Sequence, residues 1–279
     1  MKRFITGNRF KELANYTFSP PVKRGDDYYN LPNTYDPEKV KDDDIIYTDA
    51  GYVQDLLMEV SILDKKVILI THNGDTNIDF IPPDNVIKWY TTNVNVIHPQ
   101  IESIPIGLEN DLWFPEVHKK EKMLLKMNEP KVYRNLMYMN HSIATNPAIR
   151  ERLYQMFEGK SWVTSSRGSN RANLFDEYLD NIFNHKFVLC PEGNGMDTHR
   201  TWETLYMGSI PIEKRNLNNR FYEDLPICFV NDWEEITEEF LINKYRILRQ
   251  QWNLQMLNFE YWKNKIQNES LLHTSRVSD

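Results

Sequence analysis

The chain has 279 residues, 33 of them Lys or Arg and 40 Asp or Glu, which gives a formal net charge of −7 at pH 7. Its hydrophobic share of 41% is too high for a disordered chain, and 10 Gly with 14 Pro exclude collagen-like and low-complexity composition. The acidic balance argues against nucleic acid as the main partner, although it leaves room for a local basic pocket that binds a phosphorylated small molecule.

Residues 1–44 are polar and interrupted by prolines, so we expect an irregular segment there. From residue 45 onward, short β-branched runs alternate with helical patterns, which is typical of parallel sheets. The predicted strands are Ile45–Tyr47, Val67–Ile70, Val86–Trp89, Ile101–Ile106, Leu136–Met139, Trp162–Thr164, Phe187–Cys190, Ile210–Ile212 and Ile227–Val230. The predicted helices are Tyr52–Leu63, Pro147–Phe157, Phe175–Phe183, Thr198–Met207 and a helical tail over Glu234–Gln267.

A charged stretch over 115–131 separates two successive α/β halves, and we place a domain boundary there. The prediction is a Rossmann-like domain over 1–125, a second one over 126–240, and helices over 241–279 that pack back on the first domain. The two parallel sheets are expected to face a cleft.

Cysteine content and hydropathy bear on the compartment. The chain has only two cysteines, Cys190 and Cys228, so a disulfide framework is not expected and a reducing compartment fits better. No run approaches the ~20 apolar residues of a membrane span, and no apolar segment follows Lys2 and Arg3. We therefore expect a soluble cytoplasmic protein.

The segment 186–212, KFVLCPEGNGMDTHRTWETLYMGSIPI, is the most informative part of the sequence. A predicted strand leads into a glycine-containing turn and then into a helix, which either Asp197 or Thr198 can cap. Free backbone N–H groups and the helix dipole then point at one place, which favours an anion site. The turn residues expected to contribute to ligand binding there are Glu192, Gly193, Asn194 and Gly195.

The first turns of this helix carry side chains that suit a nucleoside diphosphate. Arg200 adds a positive charge and a fork of donors suited to phosphate. Glu203, one turn later, can accept two hydroxyl donors, as a ribose diol requires, and His199 lies beside them. Spacing alone leaves an alternative open, in which Arg200 and Glu203 form a surface ion pair and His199 is a structural residue.

This segment resembles the nucleotide-sugar motif of exostosin-like glycosyltransferases, and more loosely the donor motif of α1,3-fucosyltransferases. The matching positions are Pro191, Gly193, Gly195, Asp197, Arg200, Trp202, Glu203, Leu205, Gly208, Ile210 and Pro211. The resemblance implies a GT-B fold, in which the C-terminal domain binds a nucleotide sugar and the N-terminal domain binds the acceptor. It also implies inverting transfer, usually without an essential metal, with Arg200 neutralising the diphosphate and Glu203 holding the ribose.

Within that family, the chain resembles small xylosyltransferases of large algal viruses. This likeness implies UDP-xylose as the donor and a glycan or glycoprotein, such as a viral capsid glycan, as the acceptor. Two other functions stay open: a GDP-fucose-dependent transferase, and a non-catalytic module that binds a nucleotide sugar or a glycan.

For the base that accepts the proton of the acceptor hydroxyl, we favour Asp75, in the loop after the predicted strand Val67–Ile70. Ligands of open α/β sheets gather at the carboxyl ends of strands, and a placed carboxylate is a common general base. Glu109 and His72 are the alternative bases, and turn chemistry is the non-catalytic interpretation of Asp75.

Other candidate residues are weaker. Arg167, in a loop after a short strand, is expected to add positive charge to the donor site. Asn73, Trp89 and Trp113 are candidates for acceptor binding, since amides and aromatic faces suit sugars. No His/Cys/Asp cluster has the spacing of metal ligands, so no metal site is predicted.

Overall fold

The computed structural model describes residues 4–20, 31–111, 118–166, 175–250 and 253–277. The chain forms two compact units. The first unit comprises Ile5–Ile106 and Asn258–Asp279, and the second comprises Met1–Phe4 and Gly107–Leu257. The predicted boundary follows residue 125, whereas the second unit begins at Gly107.

The described residues form α-helices and strands that alternate along most of the chain. In chain order they are α1 (Gly7–Lys11), β1 (Tyr16–Thr17), β2 (Ile45–Asp49), α2 (Val53–Ser61), β3 (Val67–His72), β4 (Val86–Thr91), β5 (Ile101–Ser103), α3 (His118–Lys126), β6 (Asn135–Met139), α4 (Pro147–Phe157), β7 (Val163–Ser165), α5 (Phe175–Asn184), β8 (His185–Leu189), α6 (His199–Tyr206), β9 (Ile210–Lys214), β10 (Cys228–Val230), α7 (Glu238–Leu248) and α8 (Phe259–Val277).

The first unit contains a five-stranded parallel sheet in the order β1-β2-β3-β4-β5. Every residue of β2 and β3 is buried, as their β-branched runs predict. Helix α8 belongs to this unit, where the ring of Phe259 packs edge-on against Phe10 at 5.3 Å and under the guanidinium of Arg9 at 4.0 Å. The order of these five strands follows the sequence without a reversal.

Residues 1–44, which were expected to be irregular, contain α1 and β1. Strand β1 extends the sheet because Tyr16 and Thr17 pair with Ile46 and Tyr47. The side-chain oxygen of Asn15 also accepts a hydrogen bond from the Ile45 N–H at 2.8 Å. A helix of five residues and a strand of two are too short to produce a hydrophobic period in the sequence.

The second unit contains a five-stranded parallel sheet in the order β10-β9-β8-β6-β7. The chain runs from β6 to β7 on one side and then returns to β8 on the other side of β6. Open α/β sheets bind ligands outside the carboxyl ends of their strands at such a reversal. The strand order therefore marks the ends of β6 and β8 as a place for a ligand.

The charged stretch predicted as a domain boundary contains α3, which packs within the second unit. Met123 is fully buried, and the Nζ of Lys126 lies 2.6 Å from a carboxylate oxygen of Asp180 on α5. Because charged residues cover one side of this short helix, its apolar side does not stand out in the sequence pattern.

The predicted α/β class with two parallel sheets is confirmed. Helix α4 has the bounds Pro147–Phe157 that the sequence predicts, with proline in its first turn. Strand β5 ends three residues earlier than predicted, at Ser103. Among the helices that the structure describes, none is long and apolar enough to span a bilayer.

Candidate functional site

The glycine turn lies at the carboxyl end of β8, next to the reversal in strand order. Helix α6 begins at His199, and Thr198 is its N-cap residue with an extended backbone (φ −133°, ψ 143°). The Thr198 hydroxyl is buried and forms no hydrogen bond within the described residues. Asp197, the other predicted cap, accepts a hydrogen bond from the indole N–H of Trp202 at 2.8 Å. The start of α6 is thus held by Asp197.

Arg150 of α4 supports the turn from below. Its buried guanidinium donates to the carbonyl oxygens of Pro191 at 3.1 Å, Glu192 at 2.9 Å and Ser142 at 2.9 Å. A Cβ atom on Gly193 would lie 2.9 Å from Nη2 of Arg150, so the turn needs glycine here. Burial, and then the charge of Arg200, lower the pKa of Arg150 to about 10, which keeps it charged at neutral pH.

Sequence reasoning missed Arg150, although a signal exists. Arg150 falls in line with Leu153, Tyr154 and Phe157, the three residues that α4 buries along with it. A charged residue on the apolar stripe of a helix indicates a buried group with fixed hydrogen-bond partners.

Arg200 has a different environment. Its guanidinium carbon lies 5.3 Å from the centre of the Tyr178 ring, on α5. The Nη1 atom is buried and has no hydrogen-bond acceptor within the described residues. The surface ion pair with Glu203, left open by the sequence, is absent from the part of the chain that the structure describes, because Glu203 binds Tyr178 instead.

Glu203 is buried in α6, and its Oε2 accepts a hydrogen bond from the Tyr178 hydroxyl at 2.5 Å. Burial raises the pKa of Tyr178 well above its ordinary value, so the hydroxyl keeps its proton and donates. Tyr178 therefore joins the two predicted donor-binding residues, since its ring faces Arg200 and its hydroxyl holds Glu203.

His199 and Glu109 are predicted separately, and the structure brings them together in the second unit. The Nε2 of His199 lies 3.1 Å from Oε2 of Glu109, and Nδ1 donates to the Gly107 carbonyl at 2.7 Å. Burial lowers the pKa of His199, but the hydrogen bond and charge of Glu109 outweigh it and raise this pKa to about 9. Burial likewise raises the pKa of Glu109, and His199 outweighs it, so the net shift is downward. The two form an ion pair at neutral pH.

A polar cluster lies at the end of β6, on the other side of the reversal. The amide of Asn140 donates to the Tyr138 hydroxyl at 2.8 Å and to Ser166 Oγ at 2.9 Å. Tyr138 and Ser166 are themselves 2.8 Å apart. Arg167, predicted to add charge to the donor site, follows this cluster in sequence and lies outside the described residues.

A buried carboxylate on β9 braces the first turn of α6. Glu213 accepts a hydrogen bond from Thr201 of α6 and another from the Asn219 amide at 3.1 Å. Burial raises the pKa of Glu213 to about 7, with Asp197 adding to the shift and the two hydrogen bonds opposing it. Sequence reasoning gave Glu213 no role.

Asp75 and His72, the candidate bases in the first unit, differ in accessibility. Asp75 is exposed in the loop after β3. His72 is 1% exposed, its Nε2 lies 3.1 Å from the Pro105 carbonyl, and its Nδ1 accepts from the Asn73 N–H at 2.7 Å. Both ring nitrogens are therefore engaged in hydrogen bonds, which leaves His72 no free nitrogen to act as a base.

Two of the candidates for acceptor binding are used inside the first unit. The Asn73 amide donates to the Tyr47 hydroxyl at 2.8 Å and to Asp49 at 3.2 Å. Trp89 is fully buried and its indole N–H donates to Thr71 at 3.1 Å, so it packs in the core and offers no surface to an acceptor. The prediction for Trp89 is therefore corrected. Trp113 lies outside the described residues.

No group of three or more His, Cys, Asp or Glu side chains in the described ranges is placed to hold a metal ion. The two cysteines are both buried thiols, and burial raises the pKa of each to about 12.

Comparison with known proteins gives a distant likeness in structure alone. No family model matches the chain, and no curated protein matches it. An α1,3-fucosyltransferase structure is 14% identical, covers 80% of this chain and 70% of its own, and has a TM-score of 0.40. An α1,3-fucosyltransferase solved with GDP-fucose is 11% identical over 92% of this chain and 93% of its own, with a TM-score of 0.41. A GtfA/B complex is 11% identical over 84% of this chain and 58% of its own, with a TM-score of 0.37. Similarity at this level assigns neither an activity nor a donor.

Proposed function

We propose that the chain is a nucleotide-sugar-dependent glycosyltransferase of the GT-B type, and that the donor diphosphate binds at the start of α6. The observation that carries the proposal is the hydrogen-bond environment of the Arg200 guanidinium. Its buried Nη1 has no acceptor in the described part of the chain, and it lies in the first turn of a helix that follows a glycine turn.

A buried polar group without a partner costs about 1–3 kcal/mol, and more when it is charged. Arg150, on the neighbouring helix α4, avoids that cost through its bonds to backbone carbonyls. An anion at the start of α6 would supply Arg200 with the missing acceptor, and the helix dipole would add to the attraction. The resemblance of residues 186–212 to the exostosin-like motif supports a diphosphate as that anion.

The proposed reaction is a single displacement with inversion. The acceptor hydroxyl attacks the anomeric carbon, its proton passes to the base, and the bond from that carbon to the diphosphate oxygen breaks. Arg200 and the N–H groups of α6 stabilise the charge that develops on the departing diphosphate. Glu203, whose Oε1 accepts no hydrogen bond within the described residues, would hold the ribose hydroxyls.

Asp75 remains the proposed base because it is exposed at the carboxyl end of β3. His72 has both ring nitrogens occupied, and Glu109 is paired with a charged His199. Asp75→Asn is expected to keep donor affinity and to lower turnover about 10²–10⁴-fold. Near-normal turnover in that variant would remove Asp75 from the mechanism.

For the donor we propose UDP-xylose, and for the acceptor a glycan, on the strength of the family resemblance of residues 186–212. The looser resemblance to α1,3-fucosyltransferases makes GDP-fucose the alternative. Transfer to a viral capsid glycan belongs to the same proposal.

Calorimetric titration with UDP, GDP, UDP-xylose, UDP-glucose and GDP-fucose tests the donor site. Arg200→Ala is expected to weaken binding of the preferred nucleotide about 10–150-fold, the value of hydrogen bonds to a charged group. Arg246→Ala, which removes an exposed arginine from α7, is the matched control and should leave the affinity unchanged. Equal affinity in wild type and Arg200→Ala would refute the diphosphate assignment. Tight binding by wild type without turnover of donor would instead support a non-catalytic binding module.

A further inference from the structure

A pocket of about 270 Å³ opens in the second unit between the start of α4 and the carboxyl ends of β8 and β9. Its wall includes apolar side chains, those of Ile149, Met196 and Trp233. Glu192 and Glu213 contribute carboxylates. Apolar walls with a few placed polar groups are the usual composition of a small-molecule site.

The positive side chains around this pocket are already paired. Each cation binds a carboxylate that does not line the pocket. The pairs are Arg152 with Glu234, Lys214 with Asp232 at 2.9 Å, and Arg215 with Glu223 at 2.7 Å. Both oxygens of Glu213 are also used, by Thr201 and Asn219. The pocket therefore presents no unpaired cation among its described lining residues.

Glu192 is the exception among the charged lining residues. Its carboxylate forms no hydrogen bond or ion pair within the described residues, although its side chain is half-buried. Its backbone is fixed, because Arg150 donates to the Glu192 carbonyl at 2.9 Å. A carboxylate held in this way accepts two hydrogen bonds from neighbouring hydroxyls.

The pocket shares lining residues with the glycine turn at which the diphosphate is proposed to bind. Glu192 and Met196 both belong to the turn that leads into α6, and Glu213 binds Thr201, the residue after Arg200. A cavity therefore lies beside the turn that leads into α6.

We propose that this pocket takes the glycosyl group of the donor, and that Glu192 reads its hydroxyls. The inference rests on the proposed function, which it extends from the diphosphate to the sugar. The apolar wall packs against the C–H face of the ring, and the Glu192 carboxylate accepts from two of its hydroxyls. An uncharged sugar is the class that fits, because a carboxylated sugar would meet the negative charge of Glu192 in a pocket whose lining cations are already paired.

The test compares each intact donor with its own nucleoside diphosphate, UDP-xylose with UDP and GDP-fucose with GDP. Glu192→Ala is expected to weaken the intact donor about 10-fold or more, since hydrogen bonds to a charged group are lost. Its affinity for the bare diphosphate should change by less than about 2-fold. Glu239→Ala, at an exposed glutamate of α7, is the matched control and should change neither affinity.

A second variant tests the cavity rather than the charge. Ala148 is exposed at the start of α4 and lines the pocket, so Ala148→Phe adds a ring there without disturbing the core. This variant should lose the intact donor and keep the bare diphosphate. Ala144→Phe, at an exposed position outside the lining, is its control.

The outcomes separate the two proposals. If wild type binds none of these diphosphates, the proposed function fails. If wild type binds them, two results overturn the sugar assignment. In one, Glu192→Ala and Ala148→Phe weaken binding of the diphosphate and of the intact donor equally; in the other, they weaken binding of neither ligand. Tighter binding of UDP-glucuronic acid than of UDP-glucose by wild type would also overturn it, since it contradicts the expected repulsion by Glu192.

Discussion

The ion pair of His199 with Glu109 predicts how the stability of the second unit depends on pH. The folded state raises the pKa of His199 from 6.5 to about 9. A histidine with a raised pKa adds stability that is fully present below its unfolded pKa and is lost as the pH rises through its folded pKa. The window for this pair is therefore pH 6.5 to 9.

The size of the effect follows from the same values. With one pKa unit worth 1.36 kcal/mol, protonation of His199 contributes about 2.5 kcal/mol at pH 7 and close to zero at pH 10. Because the side chains of His199 and Glu109 are 32% and 26% exposed, solvent screening brings the expected value to about 1–2 kcal/mol. The downward pKa shift of Glu109 reports the same interaction and adds nothing further.

The variant Glu109→Gln removes the charge and keeps the shape. Urea unfolding of wild type and Glu109→Gln, measured at pH 6, 7, 8, 9 and 10, gives the difference in unfolding free energy at each pH. This difference should be about 1–2 kcal/mol at pH 6–7 and should shrink through pH 9. Other groups that titrate in this range do so in both proteins, so they cancel in the difference.

Glu223→Gln is the matched control, because Glu223 pairs with Arg215 on the surface of the same unit. An exposed pair of this kind is worth about 0–1 kcal/mol. Its variant should show no trend between pH 7 and pH 10. A Glu109→Gln difference that is the same at pH 7 and pH 10 would refute the assignment of a charged His199.

Two further predictions concern the site and its support. Burial raises the pKa of Glu213 from 4.5 to about 7. The stability that comes from protonated Glu213 is therefore fully present below pH 4.5 and is lost as the pH rises through 7. Glu213→Gln should therefore gain stability relative to wild type between pH 5 and pH 8, by up to about 3 kcal/mol in urea unfolding, and a flat difference would contradict this. In the first unit, a Cβ on Gly7 would overlap Oδ1 of Asn73, whereas a Cβ on Gly51 meets nothing within 4 Å. Gly7→Ala should lower the free energy of unfolding by about 1–3 kcal/mol, and Gly51→Ala should not. Equal stability of the two variants in thermal unfolding would show that the loop after β3 can move to accommodate the added methyl group.

The sequence predicts the strands of both sheets well because most of them are continuous β-branched or apolar runs bounded by polar turns. Val67–Ile70, for instance, corresponds to β3, in which every residue is buried. It does not predict α1, β1 or α3, whose stability comes from packing and pairing with distant parts of the chain. A pattern of residues does not predict strand order either. Yet the order β10-β9-β8-β6-β7 is what marks the part of the second sheet where a ligand is expected.

The candidate site residues also divide into those that local sequence predicts and those that depend on contacts between distant segments. Local sequence is enough to propose Arg200 and Glu203 as candidates, because both lie on one helix that starts after a glycine turn. It pairs neither Glu109 with His199 nor Glu203 with Tyr178, since those contacts join segments far apart in the chain. Trp89 fails for another reason, since an aromatic residue near a strand end is as suited to a core as to a sugar, and only burial distinguishes the two.

Arg150 and Arg200 show why burial alone does not identify a binding residue. Both guanidiniums lie near the same turn, and the charge of Arg200 lowers the pKa of Arg150. The guanidinium of Arg150 donates to backbone carbonyls, so it fixes the turn and has few donors available for a ligand. Arg200 faces an aromatic ring and leaves Nη1 without an acceptor in the described part of the chain. Two like charges held close together repel each other, and an anion beside them offsets that repulsion. The fold keeps one of them unsatisfied at a helix N-terminus, which is the arrangement expected where a negatively charged ligand completes the structure.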